Sequence, residues 1–398
     1  MKMDNELLER IKEYGDKVEK FEAGVTYIPV DNSISNGDES INLIASVLGS
    51  NQDYLRSFCY KLNNYMGHGH ISITGNSASA HLLTMKALSS PQLGSRRLGV
   101  GDEVITTPNS VAVINACQTF GIVPILVDVD LNTMLPNPIE IEMKVVEGKT
   151  KAIILPSICG NSVIGEEIRD IADDFSIMFI EDFGYGFGGK VYGVPVGSYA
   201  DVCIYSFHSN LLGDAGVIIC KQHLVHQIIE NLMKEDNSSS WMGLGSSPMM
   251  YAYLDAQMDK HEFYFSQRRI NWVRLYEGLE EYSKYFRFHK TLPRVNPSWT
   301  GFIITIKIPA PFTKTDIMQF LDGKKIGTRS VIGNVFQVES YKDFNKDGDD
   351  ELINSNYIHE NSFIIGCNPD MRQEHIDWVI KSIGEFLETY ERKEEIKD

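Results

Sequence analysis

Residues 176–182 read SIMFIED, and two flanking stretches, KAIIL (151–155) and DVCIYS (201–206), share its character. Each is a short apolar run closed by polar residues, and none alternates cleanly between apolar and polar. Runs of that kind are strands covered on both faces, as in a parallel sheet. The helical pattern EEIRDIADDF separates the first two. Upstream, HISIT (70–74), EVIT (103–106) and PILVDV (124–129) read as further strands. SASAHLLTMKAL, the stretch around Val111–Phe120 and IEIEMKVVE read as helices between them. GVIIC (216–220) follows as a last strand. Short strands alternating with ten-residue helices predict right-handed βαβ units and an α/β fold with a mostly parallel sheet.

After Cys220 the pattern changes. His223–Lys234 is helical, Glu235–Pro248 is a polar loop, and one long amphipathic helix spans about Met249–Tyr282. A smaller α/β segment follows, with strands at 300–307 and 362–366 and helices at 314–322 and 373–390. Pro309, Pro311 and the N-cap pattern Thr313-Lys-Thr315-Asp mark the start at 314. The expected division is an N-terminal helix and arm (1–35), a large α/β domain (36–264) and a small C-terminal domain (265–398).

Hydrophobic residues make up 43% of the 398 and charged residues 23%, enough apolar content for sizeable cores. Lys and Arg number 37 against 54 Asp and Glu, a net charge of −17. That balance argues against nucleic acid, which needs clustered cations to release counterions, and against an anionic membrane surface. No stretch approaches the ~20 apolar residues of a membrane span. The opening MKMDNELLERIKEYGDKVEKFE is a charged amphipathic pattern, not a signal peptide. The six cysteines form no C-x-x-C pair and read as small buried hydrophobes. A cytoplasmic protein is expected.

In a sheet of this type ligands bind beyond the carboxyl ends of the strands. Three polar clusters fall there. Gly75-Asn76-Ser77-Ala78-Ser79 joins a strand to a helix start, where free amides hold a phosphate; the alternative is a plain N-cap by Ser77. Glu181-Asp182 ends SIMFIED, where a carboxylate suits a protonated ring nitrogen; the alternative is a turn-forming Asp. Ser206-Phe207-His208 ends DVCIYS and offers a hydroxyl and an imidazole; the alternative is a satisfied polar loop. Asp343 to Glu351 looks like a calcium loop, but Asp350 and Asn354 stand where an aliphatic residue and a Glu belong, so a solvated acidic turn is expected.

This arrangement resembles the large domain of fold type I, aspartate-aminotransferase-like pyridoxal-phosphate enzymes. SSPQLGSRRLGVGDEVIT (89–106), VPILVDVDLNT (123–133), CGN (159–161), FIED (179–182), NPSWTGFIITIK (296–307), FLDGKKIGTR (320–329) and SFIIGCNPDMRQEHIDWVIKSIGEFL (362–387) are similar to the DegT/StrS sugar aminotransferase family. They look closest to its CDP-4-keto-6-deoxyglucose 3-dehydratase branch. The resemblance covers nearly the whole chain. It implies pyridoxamine phosphate (PMP) or pyridoxal phosphate (PLP) as cofactor and a nucleotide-linked 4-keto-6-deoxysugar as substrate. It implies that Ser77, Ala78, Ser79 and Ser206 hold the cofactor phosphate and that Asp182 pairs with the pyridine nitrogen. Tyr185 takes a slot near the ring hydroxyl. Asn161 and Arg329 fall at the substrate mouth.

The departures from the family pattern gather at the chemistry. SFHSNLLGDAG (206–216) is about three residues shorter than the family loop, and Leu211 lies nearest the slot of the catalytic Lys or His. His208 is the remaining nearby base. Ser110 stands where an aromatic stacks on the ring, GSNQD (49–53) replaces a Gly-Trp-Leu-Thr-type loop, and Gly243 replaces the partner subunit's Asn. The Cys-rich insert of the dehydratases is missing from ENLMKEDNSSSWMGLG, so no iron–sulfur cluster is expected. Two readings follow: a redesigned PLP- or PMP-dependent sugar dehydratase or aminotransferase without the Schiff-base Lys, or a catalytically degenerate subunit pairing with an active homologue. A homodimer or heterodimer is expected in either case.

Overall fold

The computed structural model describes residues 21–30, 53–67, 69–184, 187–207, 215–235, 247–344 and 352–395. In chain order its first half comprises α1 (Tyr54–Met66), β1 (His70–Thr74), α2 (Ser77–Leu88), β2 (Glu103–Thr106), α3 (Val111–Phe120), β3 (Val123–Leu126), α4 (Pro138–Met143), β4 (Thr150–Pro156), α5 (Gly165–Asp174) and β5 (Met178–Phe183). Then come the short β6 (Lys190–Val191) and β7 (Val194–Pro195), β8 (Val202–Phe207), β9 (Ala215–Cys220), α6 (His223–Glu235) and α7 (Pro248–Leu279).

Seven strands form one sheet in the order β1-β9-β8-β5-β4-β2-β3. The five strands from β8 to β3 run parallel; β9 is antiparallel to β8, and the edge strand β1, antiparallel to β9, runs in the same direction as the five. The fold is therefore mixed α/β with a mostly parallel sheet, as the sequence predicts. PILVDV is shorter than predicted: β3 stops at Leu126, and Val129 makes only an isolated bridge to Pro136.

The non-alternating runs have a direct cause. Ile153 and Leu155 of β4 enter one core with α5, while Ala152 and Ile154 enter another with α2. Both faces are apolar because both are covered. Period-two geometry then assigns the polar strand ends. Met178, Ile180, Val202, Ile204 and Ile218 face α2, whereas Phe179, Phe183, Cys203, Tyr205 and Val217 face away from it. Asp182, Ser206 and Gly216 therefore fall on the α2 face, and Glu181 falls on the other.

Helix α7 contributes Met250, Leu254 and Met258 to the core on the face away from α2, and Leu275 and Leu279 to a separate aromatic core. A 3-10 turn at Glu280–Tyr282 ends it. The second core supports a four-stranded antiparallel sheet, β10 (Phe286–Phe288), β12 (Phe302–Ile306), β14 (Ser362–Ile365) and β13 (Thr328–Ser330), in that spatial order. The remaining elements are β11 (Val295–Asn296), α8 (Lys314–Gly323), α9 (Ile353–Asn361) and α10 (Gln373–Glu395). Helix α8 starts on a capping box between Thr313 and Asp316, where the TKTD pattern places it. Among the described residues no helix is long and apolar enough to cross a membrane, and no three His, Cys, Asp or Glu converge on a metal position. The acidic segment 345–351 lies outside the described residues.

Candidate functional site

The Gly75–Ser79 turn opens α2, but its cap is Asn76, not Ser77. Asn76 is extended (φ −161°, ψ 170°) and its side chain accepts from Ser79 N at 2.8 Å. That leaves the main-chain amides of Ser77 and Ala78, which the helix cannot satisfy internally. The turn is held from below. Thr74 Oγ1 donates to the Asn76 carbonyl at 2.7 Å. A Cβ built on Gly216 would lie 2.2 Å from that same carbonyl oxygen and 2.4 Å from Thr74 Oγ1. Only glycine at 216 lets β9 pass under the turn. Gly216 is the register partner of Ser206, so the second strand-end cluster lies beside the helix start.

Asp182 completes the group. It is the register partner of Ile204, two residues before Ser206. Its Oδ1 accepts from Gly184 N at 3.1 Å, and its side chain is 12% exposed. Its Oδ2 lies 2.9 Å from His81 Nε2. His81 is a buried residue of α2, one turn beyond Ser77, whose carbonyl faces His81 Nδ1 at 3.1 Å. A carbonyl only accepts, so Nδ1 carries the proton of the neutral ring. Burial pushes the imidazole below its ordinary value, against the pull of Asp182. The Nε2–Oδ2 approach is close but off the line of a hydrogen bond. With the ring neutral, Nε2 presents a lone pair to the carboxylate, so the pair is attractive only when a proton lies between them.

Glu181 is spatially separate from this group. It is buried among Ser162, Cys203 and Tyr205, and burial pushes its carboxyl up to about 8. Strand parity thus puts Asp182, and not Glu181, on the α2 face.

The structure brings Ser77, Ala78, Ser79, Asp182 and Ser206 together. Asn161 is fully buried: its amide donates to the carbonyls of Thr133 at 3.1 Å and Lys290 at 3.0 Å. It ties the loop after β4 to the 289–299 segment rather than presenting its amide to solvent. Arg329 lies on β13, at the edge of the second sheet, with an exposed side chain. Tyr185, His208, Leu211 and Gly243 lie outside the described residues. Ser110 is buried in a hydroxyl cluster with Thr106 at 2.9 Å and Thr107 at 3.1 Å. His81 and Gly216 were not legible as site residues. His81 sits in an apolar helix with no spaced partner, and Gly216 matters only because another turn crosses it.

A doubly covered sheet with a helix N-terminus, a strand-end carboxylate and a strand-end serine converging beyond its carboxyl edge defines an aspartate-aminotransferase-like, fold type I protein. The chain belongs to the DegT/DnrJ/EryC1/StrS aminotransferase family, whose profile matches residues 35–384. It is 29% identical over 408 residues to the lipopolysaccharide biosynthesis protein RfbH of Salmonella typhimurium, covering 92% of this chain and 93% of that protein. It is 29% identical over 428 residues to the dTDP-4-dehydro-2,6-dideoxy-D-glucose 3-dehydratase of Saccharopolyspora spinosa, covering 96% and 91%. Its fold matches that of E. coli GDP-4-keto-6-deoxy-D-mannose-3-dehydratase with bound hydrated PLP, with a TM-score of 0.77 at 19% identity over 89% of this chain and 98% of that one. It also matches the Helicobacter pylori aminotransferase PseC, of pseudoaminic acid biosynthesis, with a TM-score of 0.79 at 18% identity over 92% and 100%.

Proposed function

We propose that this protein is a PLP- or PMP-dependent enzyme acting on a nucleotide-linked 4-keto-6-deoxysugar, as a 3-dehydratase or an aminotransferase. The observation that carries the reading is the convergence of Asp182, with His81 behind it, on the open amides at the start of α2. The donor set fits the cofactor at both ends. The amides of Ser77 and Ala78 suit a phosphate dianion, which the helix N-terminus favours even in a chain of net charge −17. The Ser206 hydroxyl adds a donor from β8. The Asp182 carboxylate suits a protonated ring nitrogen. Bound there, the cofactor supplies an electron sink for charge that develops on a carbon next to it.

The remaining roles belong to the chain. Asp182 keeps the proton on the ring nitrogen. Asn76 and Gly216 hold the turn where its amides reach the phosphate. His208, the base nearest the strand end in sequence, removes and returns the substrate proton. The sugar and nucleotide classes rest on the named activities of the relatives. A partner subunit, a second copy or a homologue, covers the cleft, and the protein works in the cytoplasm. Its described cysteines are all unpaired, as a reducing compartment leaves them.

Absorption spectra after incubation with PLP and with PMP test the reading. Saturable binding with a shifted cofactor band is expected. No binding at millimolar cofactor would reject it.

A further inference from the structure

Three histidines gather at one edge of the large sheet. β1 ends the strand order, pairs with β9 and carries α6 packed on it. His70 opens β1, and His223 and His226 lie one turn apart on α6. The His70 ring stacks on His226 with centroids 5.0 Å and planes 17° apart. It meets His223 at 4.8 Å, and His223 lies 6.4 Å from His226.

A hydroxyl fixes the tautomer of the central ring. Ser72, buried on β1, donates its one hydroxyl hydrogen to Glu230 Oε1 at 2.7 Å. Its oxygen can then only accept from His226 Nδ1, 3.3 Å away. Nδ1 therefore carries the proton of the neutral ring, and Nε2 is the open base. A proton added there makes a cation stacked on His70, with His223 beside it and Lys234 two turns further along α6. Burial, and then His70, His223 and Lys234, push His226 below its ordinary value against the pull of Glu230.

The other described groups around the cluster supply little opposing charge. Cys220, the register partner of His70, and Cys59 on α1 are thiols that burial pushes up to about 12 and about 11. Asp53, which also acts on Cys59, caps α1. Helix α2 packs on α6 too, but it turns His81 to Asp182 and leaves Lys86 in solvent. Position 68, also His, lies outside the described residues. Glu230 is thus the one close carboxylate among the described residues, and it already holds the Ser72 hydroxyl. The sign follows from linkage. A ring held below its ordinary value of 6.5 stabilises the fold above that value, and the contribution is lost as pH falls through the folded value.

We propose that His70, His223 and His226 form a pH-operated clasp, whose neutral rings hold α6 against β1 and whose protonation in mild acid opens that edge of the sheet. The clasp secures the strand that runs through Thr74 into the Gly75–Ser79 turn, where Thr74 Oγ1 holds the Asn76 carbonyl. The inference does not depend on the cofactor reading, and its test uses the full chain without cofactor. Amide exchange in β1 and α6, corrected for the intrinsic rate, is compared at about pH 7.5 and about pH 5.5, on either side of the ordinary histidine range. Exchange is read locally because buried Glu181 moves global stability in the opposite sense. Protection of β1 and α6 is expected to fall roughly threefold or more in acid relative to β2 and β4. His226→Gln still offers Ser72 an N–H but takes no proton, so its protection should not fall. In the native protein the His226 imidazole signal should titrate at higher pH once His70→Gln removes the stacked neighbour. Equal native protection at both pH values, the same acid loss in His226→Gln, or a His226 titration unmoved by His70→Gln would each overturn the inference.

Discussion

His81 Nε2 and Asp182 Oδ2 stand 2.9 Å apart, joining the first turns of α2 to the carboxyl end of β5 across the face of the sheet. Parity turns Asp182 toward α2, and the helical repeat places His81 one turn above the amides that open that helix. One short helix thus supplies both the first-turn amides of Ser77 and Ala78 and the group beside the strand-end carboxylate.

Asp182→Asn is expected to keep the fold and lose the cofactor. Asn matches the shape but carries no charge for a ring N–H⁺. Hydrogen bonds to charged groups contribute about 1.5–3 kcal/mol, so PMP affinity should fall by roughly ten- to a hundredfold. An absorbance titration against the unaltered protein measures this, and equal affinities would remove Asp182 from the site.

Gly216→Ala puts a Cβ where two oxygens lie 2.2 and 2.4 Å away. One is main chain, so the turn itself must move. Overpacking of this kind costs about 1–3 kcal/mol. A lower melting temperature is expected together with weaker binding of inorganic phosphate and of PLP. A variant that melts lower but binds both normally would separate the turn from the phosphate site.

Glu181 makes a pH prediction. Burial holds its proton up to about 8 in the folded state, against an ordinary value of 4.5. Between those values the folded chain binds more protons than the unfolded one. Its stabilising contribution is therefore complete below the ordinary value and lost as pH rises toward 8. At about 1.4 kcal/mol per unit the loss is on the order of 5 kcal/mol. Glu181→Gln cannot ionise. Its urea midpoint should decline less than that of the native protein as pH rises through this window, and parallel curves would contradict the burial argument.

Asp128, beyond β3, caps α9 from a distance. Its carboxylate accepts from Asn354 N at 2.8 Å, Ser355 N at 2.9 Å and Ser355 Oγ at 2.5 Å. Leu352, the local cap residue, offers no side-chain bond. Asp128→Ala should destabilise the protein by about 1–2 kcal/mol. Faster amide exchange at the start of α9 is expected, and unchanged exchange there would deny the cap.

The longer strands of the large sheet were legible because their evidence is local: runs of about four apolar residues bounded by polar residues or turn formers. β10 and β13 were not, since three residues show no period. The cap of α2 was misplaced by one residue, because Asn76 and Ser77 are both good caps and only the extended backbone at Asn76 decides between them. Asp182 and Ser206 stood out as polar residues ending apolar runs. Arg329 and Asn161 rested on resemblance alone. As folded, Asn161 spends its amide on two carbonyls, and Arg329 lies on a strand of the second sheet.

By itself the sequence determined the order of strands and helices, the doubly covered sheet and the three polar strand ends, because hydrophobic period and turn chemistry act over a few residues. Tertiary structure decided which acid faces α2, that His81 stands beside it, that Gly216 must be bare, and that Asn161 spends its amide on two carbonyls. Those relations depend on register, parity and close approach between segments far apart in the chain, and no local pattern encodes a distance of that kind.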